Sequence, residues 1–377
     1  MTRDYKFFVI LLIVLFSTLT IFINMNIYKN IEFTSKEANL VQLMSSNPII
    51  SIKKIEKNKF VLLSMNTSVT RRDTEFDVRF CNGRIDIVTI NSQGVIREWN
   101  YTLEKFRIFS HPCIADFNGD GKNDFIVAIQ DDPNHYLNNT EVVAFISKNK
   151  NYEEKNIITL KNFFVYNISF AKIGNKGYIL LAGLDPGKRL GKILVLENSS
   201  IILEKYLGNV SFSVIPIDIN NDGNLDLIVP WHTLSNGSFI SVFINDHLNF
   251  NEVKRIKLFN SMIIAAKYIG NGNLLVNNIK EVYQLNIKNH RFANIYESLK
   301  SEYIIDLNVK NDIVSLLIYN ESDKVHPFRI LRLRHDALSN SYLKVSEIKL
   351  DITPVLSVYL DESILIGSEK GLYLVRV

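Results

Sequence analysis

The chain has 377 residues, 47% of them hydrophobic, and a net charge of +4 at pH 7. Its charges are interspersed, without the basic stripe or basic–aromatic interleaving that nucleic acid requires, which excludes nucleic-acid partners. It contains no Gly-x-Ser-x-Gly, His-Glu-x-x-His, Cys-x-x-Cys, phosphate loop or dinucleotide fingerprint, and its seven His residues show no ligand spacing.

In chain order, residues 1–6 read as a cytoplasmic N-terminus carrying Arg3 and Lys6. Residues 7–25 are almost wholly apolar, interrupted by Ser17, Thr18, Thr20 and Asn24. At helical rise this segment spans roughly 28 Å, about the thickness of a bilayer's hydrocarbon core. It reads as a transmembrane signal-anchor helix with its basic flank inside. A cleaved signal peptide is the competing reading, but it wants a shorter apolar region and small residues before the cut, and Ile21-Phe22-Ile23-Asn24-Met25 makes a poor cleavage site. Either reading sends the remainder out of the cytoplasm. Residues 26–47 form a polar spacer of mixed charge, partly helical, and residues 48–377 one β domain.

Within that domain a strand–turn–strand pattern recurs. The turns fall near residues 83, 121, 177, 223, 272, 311 and 362, a spacing of roughly 45 residues that suits four-stranded propeller blades. Runs after the turns, such as Phe125-Ile126-Val127-Ala128-Ile129, are uniformly apolar and suit strands covered on both faces. Tyr342-Leu343-Lys344-Val345-Ser346 alternates and suits an outer, half-exposed strand. The fold expected is all-β, a seven-bladed propeller with six or eight blades as alternatives, preceded by one transmembrane helix. The chain stops on what would be the third strand of the seventh blade, so the fourth would come from Ile49–Ile52 or Phe60–Leu63.

Two of the turns carry a chemistry of their own. Asp116, Asn118, Asp120 and Asp124 stand at positions 1, 3, 5 and 9 of one loop, and Asp218, Asn220, Asp222 and Asp226 at the same positions of the other. Gly121 and Gly223 at position 6 permit a sharp turn that offers the carbonyls of Lys122 and Asn224. A hard cation such as Ca²⁺, which takes six to eight oxygens, is wrapped in this way. Position 12 is Val127 or Val229 rather than the Glu of an EF-hand, and strands rather than helices flank each loop. Asx-type turns without metal are the alternative.

A nine-residue Asp/Asn loop between strands, repeated at blade spacing, resembles the FG-GAP or integrin-alpha type of calcium-binding propeller repeat, VCBS repeats included. The two loops match residue by residue, the weaker turns extend the resemblance from about residue 70 to the end, and the Phe-Gly and Gly-Ala-Pro landmarks of the family are absent or blurred. The resemblance implies Asp116, Asn118, Asp120, Asp124, Asp218, Asn220, Asp222 and Asp226 as side-chain ligands of Ca²⁺.

Other residues agree with an exterior location. N-glycosylation sequons occur at Asn66, Asn100, Asn138, Asn167, Asn198, Asn209, Asn236 and Asn320, all beyond the anchor. Cys81 and Cys113 lie on successive blades, where either a disulfide or two separate buried thiols would serve. On the rim opposite the acidic loops, segments 130–140, 183–191 and 230–237 offer Asp131, His135, Asp185, Arg189, Trp231 and His232 as a partner surface; plain solvated loops are the alternative. The expected role is a membrane-anchored, extracytoplasmic module that binds a protein or a glycan. A polysaccharide lyase or hydrolase of the propeller class, or a subunit of an envelope complex, are the alternatives.

Overall fold

The computed structural model describes residues 40–72, 75–92, 94–103, 107–131, 139–149, 151–246, 249–310, 312–336, 341–359 and 363–376, the side chains of 66–72, 75–82, 355–359, 363 and 376 aside. The fold is all-β: seven antiparallel sheets, the blades of a seven-bladed propeller. Among the described residues, those from Leu40 to Ile52 and from Glu297 to Arg376 pack as one compact unit, and those from Lys53 to Tyr296 as another.

Blade 1 runs Ile49–Glu56, Lys59–Arg72, Glu75–Asn91, Gly94–Thr102. Blade 2 has a divided first strand, Arg107–Phe109 and Cys113–Ala115, both on Asp124–Asp131, then Thr140–Lys148 and Asn151–Leu160. Blade 3 runs Phe164–Ile173, Lys176–Asp185, Leu190–Glu197, Ser200–Tyr206. Blade 4 repeats the division, with Val210–Ser211 and Ile215–Ile217 on Asp226–Thr233, then Gly237–Asp246 and Asn249–Lys257. Blade 5 runs Ala265–Gly270, Asn273–Asn277, Glu281–Asn286, Arg291–Glu297, and blade 6 Glu302–Lys310, Ile313–Asn320, Phe328–Asp336, Ser341–Leu350. Blade 7 combines Pro354–Tyr359, Ser363–Ser368 and Gly371–Arg376 with Leu40–Ser45.

Second strands carry long apolar runs because both their faces are covered: Phe125, Ile126, Val127 and Ala128 are fully buried. Fourth strands are more exposed, and in Asn249–Lys257 exposed residues alternate with buried or half-buried ones, so solvent takes one face. The core lies between neighbouring sheets. Ile126, Ala128, Val142 and Ala144 of blade 2 pack on Ile168, Ile179, Leu181, Leu194 and Leu196 of blade 3. Blade 3 meets blade 4 through Leu180, Val195, Leu227 and Val229, and blade 6 meets blade 7 through Leu317, Ile330, Ile364 and Ile366. Each such aliphatic side chain contributes about 1.5–3 kcal/mol on burial. Trp99 of blade 1 packs edge-on against Phe145 of blade 2 at 5.6 Å, and Phe145 stacks on Phe125 at 4.8 Å.

Two expectations are corrected. The seventh blade is completed by Leu40–Ser45, from the stretch read as spacer, with Leu40 opposite Val375 and Ser45 opposite Gly371. Ile49–Ile52 and Phe60–Leu63 instead belong to the first two strands of blade 1. Ile49, Phe60, Val61 and Leu62 are 0–1% exposed, so they suit a doubly covered sheet, whereas Leu40–Ser45 is half exposed and suits an edge. The turn expected at residue 83 lies inside Glu75–Asn91; the first turn of blade 1 is at Lys57-Asn58, with Asn58 at φ 64°. Gly83 serves close packing, since a Cβ there would stand 3.1 Å from Leu103 Cδ1. Residues 7–25, read as the anchor helix, lie outside the described residues, and among the described residues no helix is long and apolar enough to cross a membrane.

Gly371 faces the closing strand so closely that a Cβ would fall 2.0 Å from the Met44 carbonyl oxygen, while at Gly94 a Cβ would meet nothing within 4 Å. Both residues have positive φ, 130° and 124°. Urea unfolding should therefore show Gly371→Ala costing about 1–3 kcal/mol more than Gly94→Ala. Equal costs would mean that this contact does not constrain the closure.

Candidate metal centre

Each acidic loop opens where a short first strand ends. Ala115 pairs with Asp124 in blade 2, and Ile217 pairs with Asp226 in blade 4, so positions 1 to 9 of each loop bridge the first and second strands. Inside the first loop, Asp116 Oδ1 accepts from Gly119 N at 2.8 Å and Oδ2 from Gly121 N at 3.0 Å. Asn118 Oδ1 accepts from Asp120 N at 3.0 Å, and Asp120 Oδ1 from Lys122 N at 2.9 Å. Asn118 Nδ2 donates to Asp120 Oδ2 at 3.2 Å, bringing the ends of positions 3 and 5 together.

The second loop repeats this scheme. Asp218 accepts from Asp222 N at 3.1 Å and Gly223 N at 3.0 Å, Asn220 from Asp222 N at 3.2 Å, and Asp222 from Asn224 N at 2.7 Å. Asn220 Nδ2 donates to Asp222 Oδ2 at 2.9 Å. Gly121 and Gly223 take φ of 82° and 80°, the left-handed backbone for which position 6 requires Gly.

The position-9 carboxylates differ from the rest. Asp124 and Asp226 are 0% exposed. Asp124 accepts from Phe117 N at 3.1 Å and from Ser147 N, on the third strand, at 2.7 Å. Asp226 accepts from Ile219 N at 2.9 Å and Asn245 N at 2.9 Å. Each thus fastens its loop to the far hairpin of its own blade. Burial pushes both carboxyls above their ordinary pKa; the charge of Asp120 adds to this at Asp124, and those of Asp222 and Asp218 at Asp226, against the N–H donors. At exposed Asp120 the Lys122 N–H, chiefly, holds the carboxyl below its ordinary value.

The donor set is wholly oxygen, which fits a hard cation rather than zinc or copper. Among the described residues no group of three or more His, Cys, Asp or Glu side chains is placed to hold a metal, so a cation in either loop would depend on amide and main-chain carbonyl oxygens beside the carboxylates.

The other sequence-derived residues are more dispersed. Asp131 pairs with Arg107 at 3.6 Å. Asp185 is 5% exposed and pins its own turn, accepting from Lys188 N at 3.0 Å and Tyr206 OH at 3.1 Å. Arg189 is exposed at φ 60° in that turn. Trp231 faces inward, stacked on Phe239 at 4.6 Å, and donates to Ser241 Oγ at 2.8 Å; Glu252 accepts from that hydroxyl and from Arg255. His232, 9% exposed, meets Ser238 Oγ at 3.0 Å, and burial lowers its pKa. His135 and Asn138 lie outside the described residues. Asp86, the one acid kept at the turn expected near 83, is buried and pairs with Arg84 and Arg97.

Cys113 is half-buried on the first strand of blade 2, and burial pushes its thiol up to about 11; the side chain of Cys81 lies outside the described residues, as does that of Asn66. Of the remaining sequons, Asn100, Asn198 and Asn236 are exposed, whereas Asn167, Asn209 and Asn320 are half-buried, their side-chain oxygens accepting from Ser169, Leu234 N and Ser301.

One neighbour escaped the sequence reading. Lys172, on the first strand of blade 3, brings its ammonium 3.9 Å from the place a Cβ on Gly119 would occupy. The signal was the repeated Ala171-Lys172 and Ala266-Lys267, each in the blade after an acidic loop.

No family model and no curated protein matches the chain. Among solved structures it is similar to the crystal structure of Saccharomyces cerevisiae Sqt1, at TM-score 0.51 and 8% identity, over 91% of this chain and 99% of that one. It is also similar to a chain of the mitotic checkpoint complex, at TM-score 0.55 and 10% identity, over 93% and 98%. Similarity at these identities shows the propeller fold alone.

Truncating a position-9 acid strands two backbone donors, one of them wholly interior. In calcium-free buffer, Asp226→Ala should cost about 3 kcal/mol in urea unfolding, and Asp222→Ala, on the exposed loop, under about 1 kcal/mol. Equal losses would remove the stapling role.

Proposed function

We propose that this chain is a membrane-anchored, extracytoplasmic propeller of the FG-GAP type, in which two Ca²⁺ loops stiffen a scaffold that binds another protein or a glycan. The observation that carries the reading is the duplicate hydrogen-bond scheme of Asp116–Asp124 and Asp218–Asp226 at the same place in two blades. A tight turn needs neither three carboxylates nor a buried fourth corner. A cation would offset the mutual repulsion that helps raise the Asp124 and Asp226 carboxyls. Extracellular modules hold Ca²⁺ with dissociation constants of roughly 10⁻⁴–10⁻³ M, in keeping with loops so open to solvent. The apolar segment 7–25 supplies the anchor, and the sequons agree with passage through a glycosylating compartment. Membrane pull-down with the full chain is the direct route to its partner.

Calcium at about 100 times its dissociation constant should raise stability by about 2.7 kcal/mol per site. Chelation should lower Tm and added Ca²⁺ restore it; Asp120→Ala combined with Asp222→Ala should abolish the difference. An unchanged difference in the double variant would place the ion elsewhere.

The pH dependence has a definite sign. A carboxyl raised in the folded state adds stability below its ordinary pKa and loses it as pH rises through the raised value. Without Ca²⁺, that contribution from Asp124 and Asp226 falls over this window. Ca²⁺ binds the ionised form, so the calcium-dependent gain in Tm should grow with pH across it. A gain that is flat in pH would argue against these two ligands.

A further inference from the structure

A cavity of ≈ 210 Å³ lies between the first acidic loop and blade 3, lined among others by Phe117, Phe170, Lys172, Asn175, Asn198 and Ser199. It falls below the roughly 300–1,000 Å³ of drug-sized pockets, so it suits one small ring rather than a peptide or an oligosaccharide. The half-exposed rings of Phe117 and Phe170 lie 6.2 Å apart at 66°, an apolar corner. Around it stand amides, a hydroxyl, the Asp116 carboxylate and the Lys172 ammonium. Apolar ring faces beside amide and hydroxyl groups suit a pyranose, whose C–H face is apolar and whose rim is polar.

One lining residue can deliver such a ring covalently. Asn198 begins the sequon Asn198-Ser199-Ser200 and sits exposed on the turn between the third and fourth strands of blade 3, with Asn198 at φ 50° and Ser199 at φ 65°. Asn167, Asn209 and Asn320 are half-buried, and none of them lines this cavity. Loop charge permits a neutral occupant as well. Asp116, Asp120 and Asp124 carry three negative charges, which Ca²⁺ and the Lys172 ammonium balance.

We infer that Asn198 is N-glycosylated and that its first, neutral sugar residue seats in this cavity, covering one side of the Asp116–Asp124 loop. The inference rests on the extracytoplasmic reading, since glycosylation requires it. The sugar ties the fourth-strand turn of blade 3 to the acidic loop of blade 2 and slows exchange of the ion.

The test uses the full chain made in a host that N-glycosylates secreted proteins, with glycopeptide mass spectrometry, Tm and the rate of Ca²⁺ loss to a chelator as readouts. Asn198 should be occupied. Asn198→Gln should lower Tm by roughly 2 °C or more and speed calcium loss at least threefold, while Asn100→Gln and Asn236→Gln change neither. Ser200→Ala, which destroys the sequon and keeps Asn198, should reproduce the Asn198→Gln values, which separates loss of sugar from loss of Asn. Other sequons occupied with Asn198 bare would overturn the inference and leave the extracytoplasmic reading standing; no sequon occupied would overturn both. Asn198→Gln behaving like Asn236→Gln would also overturn it. Saturable binding of free N-acetylglucosamine by Asn198→Gln, without the Tm and exchange effects, would reassign the cavity to a foreign glycan and overturn the tethered occupant.

Discussion

A sheet with two apolar faces cannot stand alone in water, and that constraint governs this chain. The second strands of the blades are buried on both sides, so each sheet needs a neighbour on either face. The contacts that answer it are side-chain layers between consecutive blades, Val142 and Ala144 against Leu181 and Leu194 being one example. Short polar ties hold the layers in register: Gln130 Nε2 donates to Val165 O at 2.9 Å and its Oε1 accepts from Val165 N at 2.9 Å, while Thr140 Oγ1 donates to Phe163 O at 2.6 Å. Ser238 repeats the tie from blade 4 toward blade 5, donating to Ser261 O at 2.6 Å.

Against that background the acidic loops are a local answer to a local problem. In blades 2 and 4 the first strand is divided, leaving its second half only three residues long. Such a piece has few ladder bonds of its own. Asp124 and Asp226 supply the missing attachment by gripping the loop on one side and the third strand on the other. The undivided first strand of blade 3, Phe164–Ile173, turns without any acid. The coincidence of divided strand and acidic loop in both blades ties the chemistry to the architecture.

Much of this was legible in the sequence, for reasons that differ by element. The loops were readable as turns because Asp and Asn at positions 1, 3, 5 and 9 with Gly at 6 cap the backbone between strands, and the second strands because double burial favours unbroken apolar runs. The closing strand was not, because Leu-Val-Gln-Leu-Met-Ser is short, mixed and far in sequence from its partner. Asn82-Gly83 carries the signature of a hairpin turn, yet its Gly answers a crowded packing site within a strand. The true turn at Lys57-Asn58 has no Gly to mark it. Trp231 and His232 looked like surface residues because they flank a long loop; only the fold shows that Phe239, Ser241 and Ser238 enclose them. Lys172 was hidden for the opposite reason, since its neighbour Gly119 is more than fifty residues away.

The completion of blade 7 has a mechanical side. Leu40–Ser45 is the first described strand, and it holds to Gly371–Arg376 through one antiparallel ladder of five residue pairs with a bulge between Gln42 and Met44. Any tension applied to the chain ahead of Leu40 loads that ladder before it reaches another blade. Under a pull from the N-terminal side this short seam is therefore the first to be loaded, ahead of the broad apolar layers behind it.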